Sequence, residues 1–264
     1  MMNYNTATSQ NHNNFDPQSP QYQLHASYPP NKAQTWKMKT EDDGWVLMHN
    51  CLRAEIDRLH KVLYTLLSRL SEEANLQSWE VESLKYIFQI HFQIVHGHHT
   101  NEDEILTPVL KQRFAYPNKL EDDHSEIINH IQVIENKLHT LKADDGRKEI
   151  QELLDAFVAY EKSLLPHLLE EEQVGLLLMR AYFTQDEIRP VIGKILARTQ
   201  KLEPFTIGLM INYLGETYVR NTMMKNEGIP FFVWHLVFKR KMKKFQRKVI
   251  VHYVALETNV AVKK

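Results

Sequence analysis

The sequence predicts an all-α protein, an antiparallel up-down four-helix bundle followed by a C-terminal helical extension. Three observations favour this class. Glycine is scarce, with 8 residues among 264. Leucine, isoleucine, glutamate and lysine recur at helical spacing, and short polar connections separate the long amphipathic stretches. The composition, 43% hydrophobic and 25% charged, is ordinary for a soluble globular protein.

Four amphipathic stretches form the predicted bundle. They span residues 45–70, 78–106, 119–141 and 148–182. Asp42 or Asp43 can cap the first helix, since a carboxylate accepts hydrogen bonds from free amides at a helix start. Pro108 disturbs the end of the second helix, and turns at 115–118 and 143–146 separate the others. Because the connections are short, neighbouring helices should run antiparallel.

Two further regions flank the bundle, which we place at residues 43–183. Residues 1–42 are rich in Asn, Gln, Ser, Pro and Tyr and have few aliphatic side chains. Such a segment buries too little apolar surface to offset the entropy of ordering, so we expect a disordered tail. Residues 184–264 are predicted to form a helical extension, which opens with the capping box Thr184-Gln185-Asp186-Glu187.

The charge is distributed unevenly along the chain. From Pro204 to Lys264 there are 11 Lys+Arg against 3 Asp+Glu, whereas the preceding part has 21 against 30. Residues 239–248 hold seven cations and follow the apolar stretch 229–234. This pattern is typical of a helix that packs by its apolar face and solvates its basic face. The alternative is contact with an anionic surface, either membrane or nucleic acid.

The cysteine content and the targeting features indicate the cellular compartment of the protein. The lone Cys51 cannot form an intrachain disulfide, and it excludes a CxxC zinc site or an iron–sulfur cluster. No secretory signal is recognisable. The longest apolar run, 229–238, is about half the length of a membrane-spanning helix. We therefore predict a cytoplasmic protein without a transmembrane segment, with the nucleus as an alternative; the sequence does not fix the oligomeric state.

Four of the 14 histidines lie on the apolar stripes of the four predicted helices. They are His49, His98, His124 and His167. Among all the histidines, only His98 and His167 are followed four residues later by glutamate, Glu102 and Glu171. Residues at this spacing share one helix face. Imidazole and carboxylate are suitable ligands for first-row transition metals.

The chain positions of the histidines predict that they lie at one level. His49 and His98 are equidistant from residue 73.5, His98 and His124 from 111, and His124 and His167 from 145.5. Each midpoint lies in or beside a predicted connection, and antiparallel helices bring such equidistant residues together. Four imidazoles and two carboxylates would be costly to bury unpaired. A shared metal centre removes this cost, and two bridging carboxylates suggest two metals.

The pattern His49…His98-xxx-Glu102…His124…His167-xxx-Glu171 resembles the hemerythrin-like HHE cation-binding family over residues 43–183. The strings MHNCLRAEIDRL, HHTNEDEILTPVL, EDDHSEI and PHLLEEEQV contribute to the resemblance. It implies a non-haem, oxo- or hydroxo-bridged di-iron centre within the bundle. The four histidines would be terminal ligands and the two glutamates would bridge the irons. Zinc and manganese stay open as alternatives.

One position departs from the oxygen-carrying members of that family. Their third motif has a second histidine four residues after the first, where this chain has Ile128; His130 points to another face. One iron would then lack a protein ligand, so we expect an open position, a replacement ligand or weaker binding. We expect the neighbouring His99 to support the site or face solvent.

Three functions are therefore predicted. The first is a metal-binding protein that binds or senses iron, O2 or NO and has metal ions and a small diatomic ligand as its partners. The second is a di-iron enzyme acting on O2, peroxide or NO, for which an open coordination position would be needed. The third is a metal-free helical interaction module. The sequence favours the metal-binding protein over the enzyme.

Overall fold

The computed structural model describes residues 15–70 and 75–262. Over these residues the regular secondary structure is helical, residues 15–43 are mostly turns and irregular segments, and the one β-type pairing is an isolated bridge between Gln23 and Phe114. The α-helices are α1 (Gly44–Arg69), α2 (Ser78–Asn101), α3 (Thr107–Leu110), α4 (Asn118–Thr140), α5 (Arg147–Glu170), α6 (Leu176–Tyr182), α7 (Gln185–Leu202), α8 (Thr206–Leu214), α9 (Glu216–Tyr218), α10 (Met224–Asn226), α11 (Lys239–Phe245) and α12 (Val251–Thr258).

Two predicted helix starts are confirmed. The Asp43 side chain caps α1 by accepting a hydrogen bond from the backbone N–H of Trp45. Thr184 and Glu187 form the reciprocal capping box at the start of α7. Both caps satisfy amides that the first helical turn leaves without intrahelical partners.

Two π-helical turns lengthen the central helices. Glu102–Leu106 joins α2 to α3, and Glu171–Gly175 joins α5 to α6. Each turn begins at a glutamate that the sequence identified as a candidate ligand. Three further π-helical turns, Val219–Met223, Trp234–Phe238 and Gln246–Ile250, lie in the extension, so a π turn by itself does not mark the site. The sequence predicted one uninterrupted helix in each place and did not reveal this local widening.

Buried apolar side chains form two separate cores. The larger lies among α1, α2, α4 and α5 and includes Leu52, Phe88 and Phe157. The smaller lies beyond the histidine level, around Phe114 and Tyr182. The candidate ligands lie between the two cores on all four helices, where the apolar stripe of each helix is interrupted by polar residues.

The extension packs against α1 and α2 and contributes to the larger core. Glu55 of α1 is fully buried and accepts hydrogen bonds from the hydroxyls of Tyr213 and Tyr253. Arg58 pairs with Glu257 at a nitrogen–oxygen distance of 3.2 Å. These contacts join the extension to the bundle helices. None of the described helices is long and apolar enough to cross a membrane.

The expectation of a disordered tail is wrong for residues 15–42, which lie along the smaller core. The backbone N–H of Lys32 donates to the carbonyl of Ala181, and the Trp36 indole donates to the carbonyl of Phe183 at 2.7 Å. Arg180 donates to carbonyls of the same segment and stacks over Trp36. The segment is ordered by backbone hydrogen bonds and a few aromatic side chains rather than by an aliphatic stripe. Residues 1–14 lie outside the described residues.

Candidate metal centre

The structure brings all six predicted site residues together in two adjoining groups. The first consists of His49, His98, Glu102 and Glu171, all buried, with one ligand-type atom from each lying within 4.8 Å of the others. The Nε2 atoms of His49 and His98 are 3.1 Å apart. Three separate helices therefore point imidazole and carboxylate atoms at one small volume.

The second group contains a residue whose role the sequence did not predict. His99, His124 and His167 are buried, and one ring nitrogen from each lies within 4.8 Å of the others. The rings of His99 and His124 stack with centroids 4.2 Å apart, and His167 meets both edge-on. His99 therefore lies inside the site and does not face solvent. Ile128 and His130 contribute no atom to either group.

Each glutamate extends between the two groups. Glu171 Oε2 lies 3.2 Å from His49 Nε2, and its Oε1 lies 3.5 Å from His167 Nε2. Glu102 Oε1 lies 3.4 Å from His98 Nε2, and its Oε2 lies 3.7 Å from His124 Nε2. The two carboxylates thus each present one oxygen to each group, which is the arrangement a bridging carboxylate needs.

Further carboxylates contact the far sides of the rings. Glu172 Oε1 is 2.9 Å from His49 Nδ1, and Asp103 Oδ1 is 2.9 Å from His124 Nδ1. Asp123 Oδ2 lies 3.6 Å from His167 Nδ1. A carboxylate on one ring nitrogen fixes the tautomer and directs the lone pair of the other nitrogen inward. Glu172 also binds Arg53, whose guanidinium holds the carboxylate in place.

The burial of the centre perturbs its protonation. Desolvation and the neighbouring His49 hold the pKa of His98 well below its ordinary value, so this imidazole is neutral and has a free lone pair. Burial and the charge of Glu171 raise the pKa of Glu102. Burial alone would also raise the pKa of Glu171, but His167, His124 and His49 outweigh it and lower the pKa.

The residues present fit a metal group. Five buried side chains have atoms that point inward without a hydrogen-bond partner: Nε2 of His124 and His167, both nitrogens of His99, Oε2 of Glu102 and both carboxylate oxygens of Glu171. Leaving so many buried polar atoms unpaired costs several kcal/mol in total, at about 1–3 kcal/mol each. Cations bound between them would supply the missing partners.

Trp45 and Gly175 shape one side of the centre. The Trp45 indole N–H donates to Glu102 Oε1 at 2.6 Å. A Cβ on Gly175 would lie 3.2 Å from the Trp45 ring, so the glycine leaves room for the indole. Neither residue was identified from the sequence, because a tryptophan near a helix start is also typical of ordinary core packing.

The fold and the site define a helical protein with a buried histidine–carboxylate centre suited to cations. Residues 51–179 match the sequence profile of the hemerythrin HHE cation-binding domain. This part of the chain therefore belongs to the hemerythrin HHE family, as the resemblance in the sequence implied. The histidine levels, the resemblance and the geometry agree on a cation-binding domain.

One similar protein is an F-box/LRR-repeat protein 5 from Salmo salar. It is 25% identical over 112 residues, which are 42% of this chain and 15% of that protein. The similarity therefore covers a small part of the relative's length. No solved structure matches the chain significantly.

Proposed function

We propose that this protein is a hemerythrin-like non-haem di-iron protein that binds or senses iron, O2 or NO. The observation that carries the proposal is the pair of adjoining ligand groups that share two carboxylates. Such a layout suits two metals at bridging distance better than one. Bound iron would supply the redox chemistry and the position at which a diatomic ligand binds.

The proposal includes an antiparallel up-down arrangement of α1, α2, α4 and α5. Supporting contacts lie at the connections between helices. The backbone N–H of Leu76 donates to the carbonyl of Asp145, and that of Asp144 donates to the carbonyl of Leu76. Arg147 also reaches the carbonyl of Leu70. The connections after α1 and after α4 therefore lie against each other, as this arrangement requires.

His49, His98, Glu102, His124, His167 and Glu171 would be metal ligands, with His99 as a seventh. His99 would take the role of the second histidine of the third motif, a position at which this chain has Ile128. It comes from the neighbouring helix, yet its ring stacks on His124 and completes a three-nitrogen group. Each metal would then have protein nitrogens on one side and shared carboxylate oxygens on the other. Zinc and manganese are the alternatives to iron.

Both the enzyme alternative and the binding of a diatomic ligand need a coordination position that a small molecule can reach. If His99 fills the position that Ile128 leaves open, the open position would lie at the group of His49 and His98, which has two imidazoles rather than three. The preference for binding over turnover therefore rests on the sequence alone. The metal-free module is disfavoured by the cluster of unpaired buried polar atoms, which a packed core would avoid.

Metal analysis tests the proposal. Protein purified after expression in iron-replete medium should contain about two metals per chain and show near-ultraviolet oxo-to-iron charge-transfer bands. His99→Ala should lower the content to about one metal, while His130→Ala, whose ring lies near Glu126 and away from the centre, should retain both. Well under one metal in the wild-type chain would refute the proposal. Equal metal content in the two variants would remove His99 from the ligand set.

We also propose that the basic helix contacts an anionic membrane surface. Phe231, Phe232 and Leu236 are 61%, 61% and 56% exposed and precede the cations of 239–248. The buried face of this stretch, which includes Trp234 and Phe245, packs on the core. Packing therefore leaves both a basic stripe and exposed aromatic rings, and this combination suits the headgroup region of anionic lipid. The predicted cytoplasmic location stays a prediction.

Vesicle co-sedimentation tests the surface contact. The protein should bind vesicles containing phosphatidylserine and release them at high salt, because exposed charges are screened. Replacing Phe231 and Phe232 by Ser should weaken binding about tenfold or more. Tyr64→Ser, another exposed aromatic position, should leave binding unchanged. Equal binding by both variants, or binding of RNA in preference to vesicles, would overturn the membrane proposal.

A further inference from the structure

A cavity of about 120 Å³ lies between the bundle helices and the extension. One end reaches the candidate metal centre at His98 and Glu102. Neither residue belongs to the extension, whereas most of the opposite wall does. The cavity therefore lies beside the centre and outside the four helices that supply its ligands.

The walls of the cavity are predominantly apolar. Nine of the 19 lining residues are methionine, isoleucine or leucine, among them Met48 of α1, Met179 of α6, Ile192 and Ile195 of α7, Met210 of α8 and Met223 after α9. Methionine is flexible and polarisable, so such a wall adapts to small apolar molecules. Over the part of the wall that these side chains form, a water molecule would lack hydrogen-bond partners, which favours an apolar occupant there.

Polar groups in the wall are mostly engaged with one another. Glu203 accepts hydrogen bonds from Asn101 and from Thr206, at 3.1 and 2.7 Å. Asp43 pairs with Arg180 at 2.8 Å. Three lining groups keep free hydrogen-bonding capacity: Glu102 Oε2 and Asn101 Oδ1, which have no partner, and the carboxylate of Glu227.

The size of the cavity limits its occupant. Apolar cavities of about 150 Å³ take up xenon or benzene in water. A cavity of about 120 Å³ therefore accommodates an apolar molecule of a few heavy atoms. A larger molecule would not fit into this volume, and a charged one would lose hydration against the apolar part of the wall.

We propose that the extension completes an apolar chamber that binds small uncharged apolar molecules, of the size of dioxygen or xenon, next to His98 and Glu102. The delivery of such a molecule to a metal rests on the function proposed above, whereas its binding in the chamber does not. The matched domain, residues 51–179, ends before α7 and α8, so the wall that these helices add to the chamber lies outside that domain.

Xenon binding to the metal-free full-length protein tests the chamber alone. Xenon nuclear magnetic resonance should show one saturable site in the wild type. Ile195→Trp, which fills the chamber, should abolish that site. Leu202→Trp, on the same helix but 60% exposed, should retain it. Leu196→Phe provides a smaller filling change if the tryptophan variant does not fold, as judged by circular dichroism. Absence of a xenon site in the folded wild type would overturn the proposal.

A second measurement tests delivery. In the iron-loaded, reduced protein, Ile195→Trp should slow the reaction with O2 about tenfold or more at unchanged iron content, and Leu202→Trp should not. A xenon site together with an unchanged O2 rate would overturn delivery while leaving the chamber. A chain that binds xenon but no iron would refute the proposed function and leave the chamber standing.

Discussion

The contact between α8 and α11 allows a test in which the same substitution has opposite effects at two glycines. Gly208 is buried on α8, and a Cβ built on it would lie 2.4 Å from the Cβ of Phe245 and 3.0 Å from the carbonyl oxygen of Lys241. Gly193 lies on α7, and a Cβ built there meets nothing within 4 Å. We therefore expect Gly208→Ala to destabilise the protein and Gly193→Ala to stabilise it.

The magnitudes follow from two opposing effects. Alanine in place of a helical glycine gains about 0.5–1 kcal/mol from the lower entropy of the unfolded chain. At Gly208, the new methyl must also push α8 and α11 apart by about 1 Å, and overpacking of this kind costs about 1–3 kcal/mol. The free energies of unfolding of the two variants should therefore differ by about 2 kcal/mol, with the wild type between them.

Urea unfolding followed by far-ultraviolet circular dichroism measures this difference at equal metal content. The signs of the two changes in unfolding free energy, rather than their sizes, test the contact between α8 and α11. If both variants are stabilised, or both are destabilised equally, α8 and α11 do not pack as closely as described here.

Three further outcomes are expected. Tyr253→Phe should lower the unfolding free energy by about 1.5–3 kcal/mol, because buried Glu55 loses a charge-assisted hydrogen bond. The exposed control Tyr64→Phe should change the unfolding free energy little. Equal effects of the two substitutions would contradict this role of Glu55. Burial lowers the pKa of His91 to about 3, so the unfolded chain binds a proton at this residue between pH 6.5 and 5 and the folded chain does not. Over that range the unfolding free energy of the metal-free wild type should therefore fall by about 2 kcal/mol more than that of His91→Phe. Parallel pH profiles of unfolding free energy would contradict the burial of His91. Burial and a nearby carboxylate raise the pKa of Glu227 to about 7. The stability that the protonated Glu227 contributes is therefore full below pH 4.5 and is lost as the pH rises to 7. Between pH 5 and 7.5, the unfolding free energy of Glu227→Gln, measured with urea, should thus rise by about 1–2 kcal/mol relative to that of the wild type. No relative rise would place Glu227 in solvent.

Helical spacing was sufficient to predict the all-helical class. Each candidate histidine falls on an apolar stripe, and a stripe of that period must face the core. The structure brings the six candidate side chains together, and their role as ligands stays a proposal. Equal distances from the connections then placed His49, His98, His124 and His167 at one level. No feature beyond periodicity and loop position was needed for this step.

His99 shows where periodicity stops being informative. It is one residue after His98, about 100° around a regular helix, and so was expected to support the site or face solvent. In the structure, α4 and α5 bring His124 and His167 to that side of α2, so that His99 is buried among the rings of His98, His124 and His167. These contacts are between helices, and residue spacing within α2 does not reveal them.

Residues 15–42 were misjudged for a different reason. Composition measures how much apolar surface a segment can bury, and this segment has little. It is held instead by hydrogen bonds to backbone carbonyls of residues 181 and 183 and by the pairing of Trp36 with Arg180. Such partners lie far away in sequence, so local composition cannot reveal them.

The two π-helical turns have a consequence for how the chain tolerates length changes. A π turn accommodates one residue more than an α-helical path between the same flanking turns. Removing one residue within 103–105 would therefore convert the wide turn into a regular one and leave Leu106 and Leu110 on their present face. The same deletion elsewhere in α2 would rotate everything beyond it by about 100°. Near Glu102, the helix therefore contains one residue more than a regular pattern of helix hydrogen bonds needs.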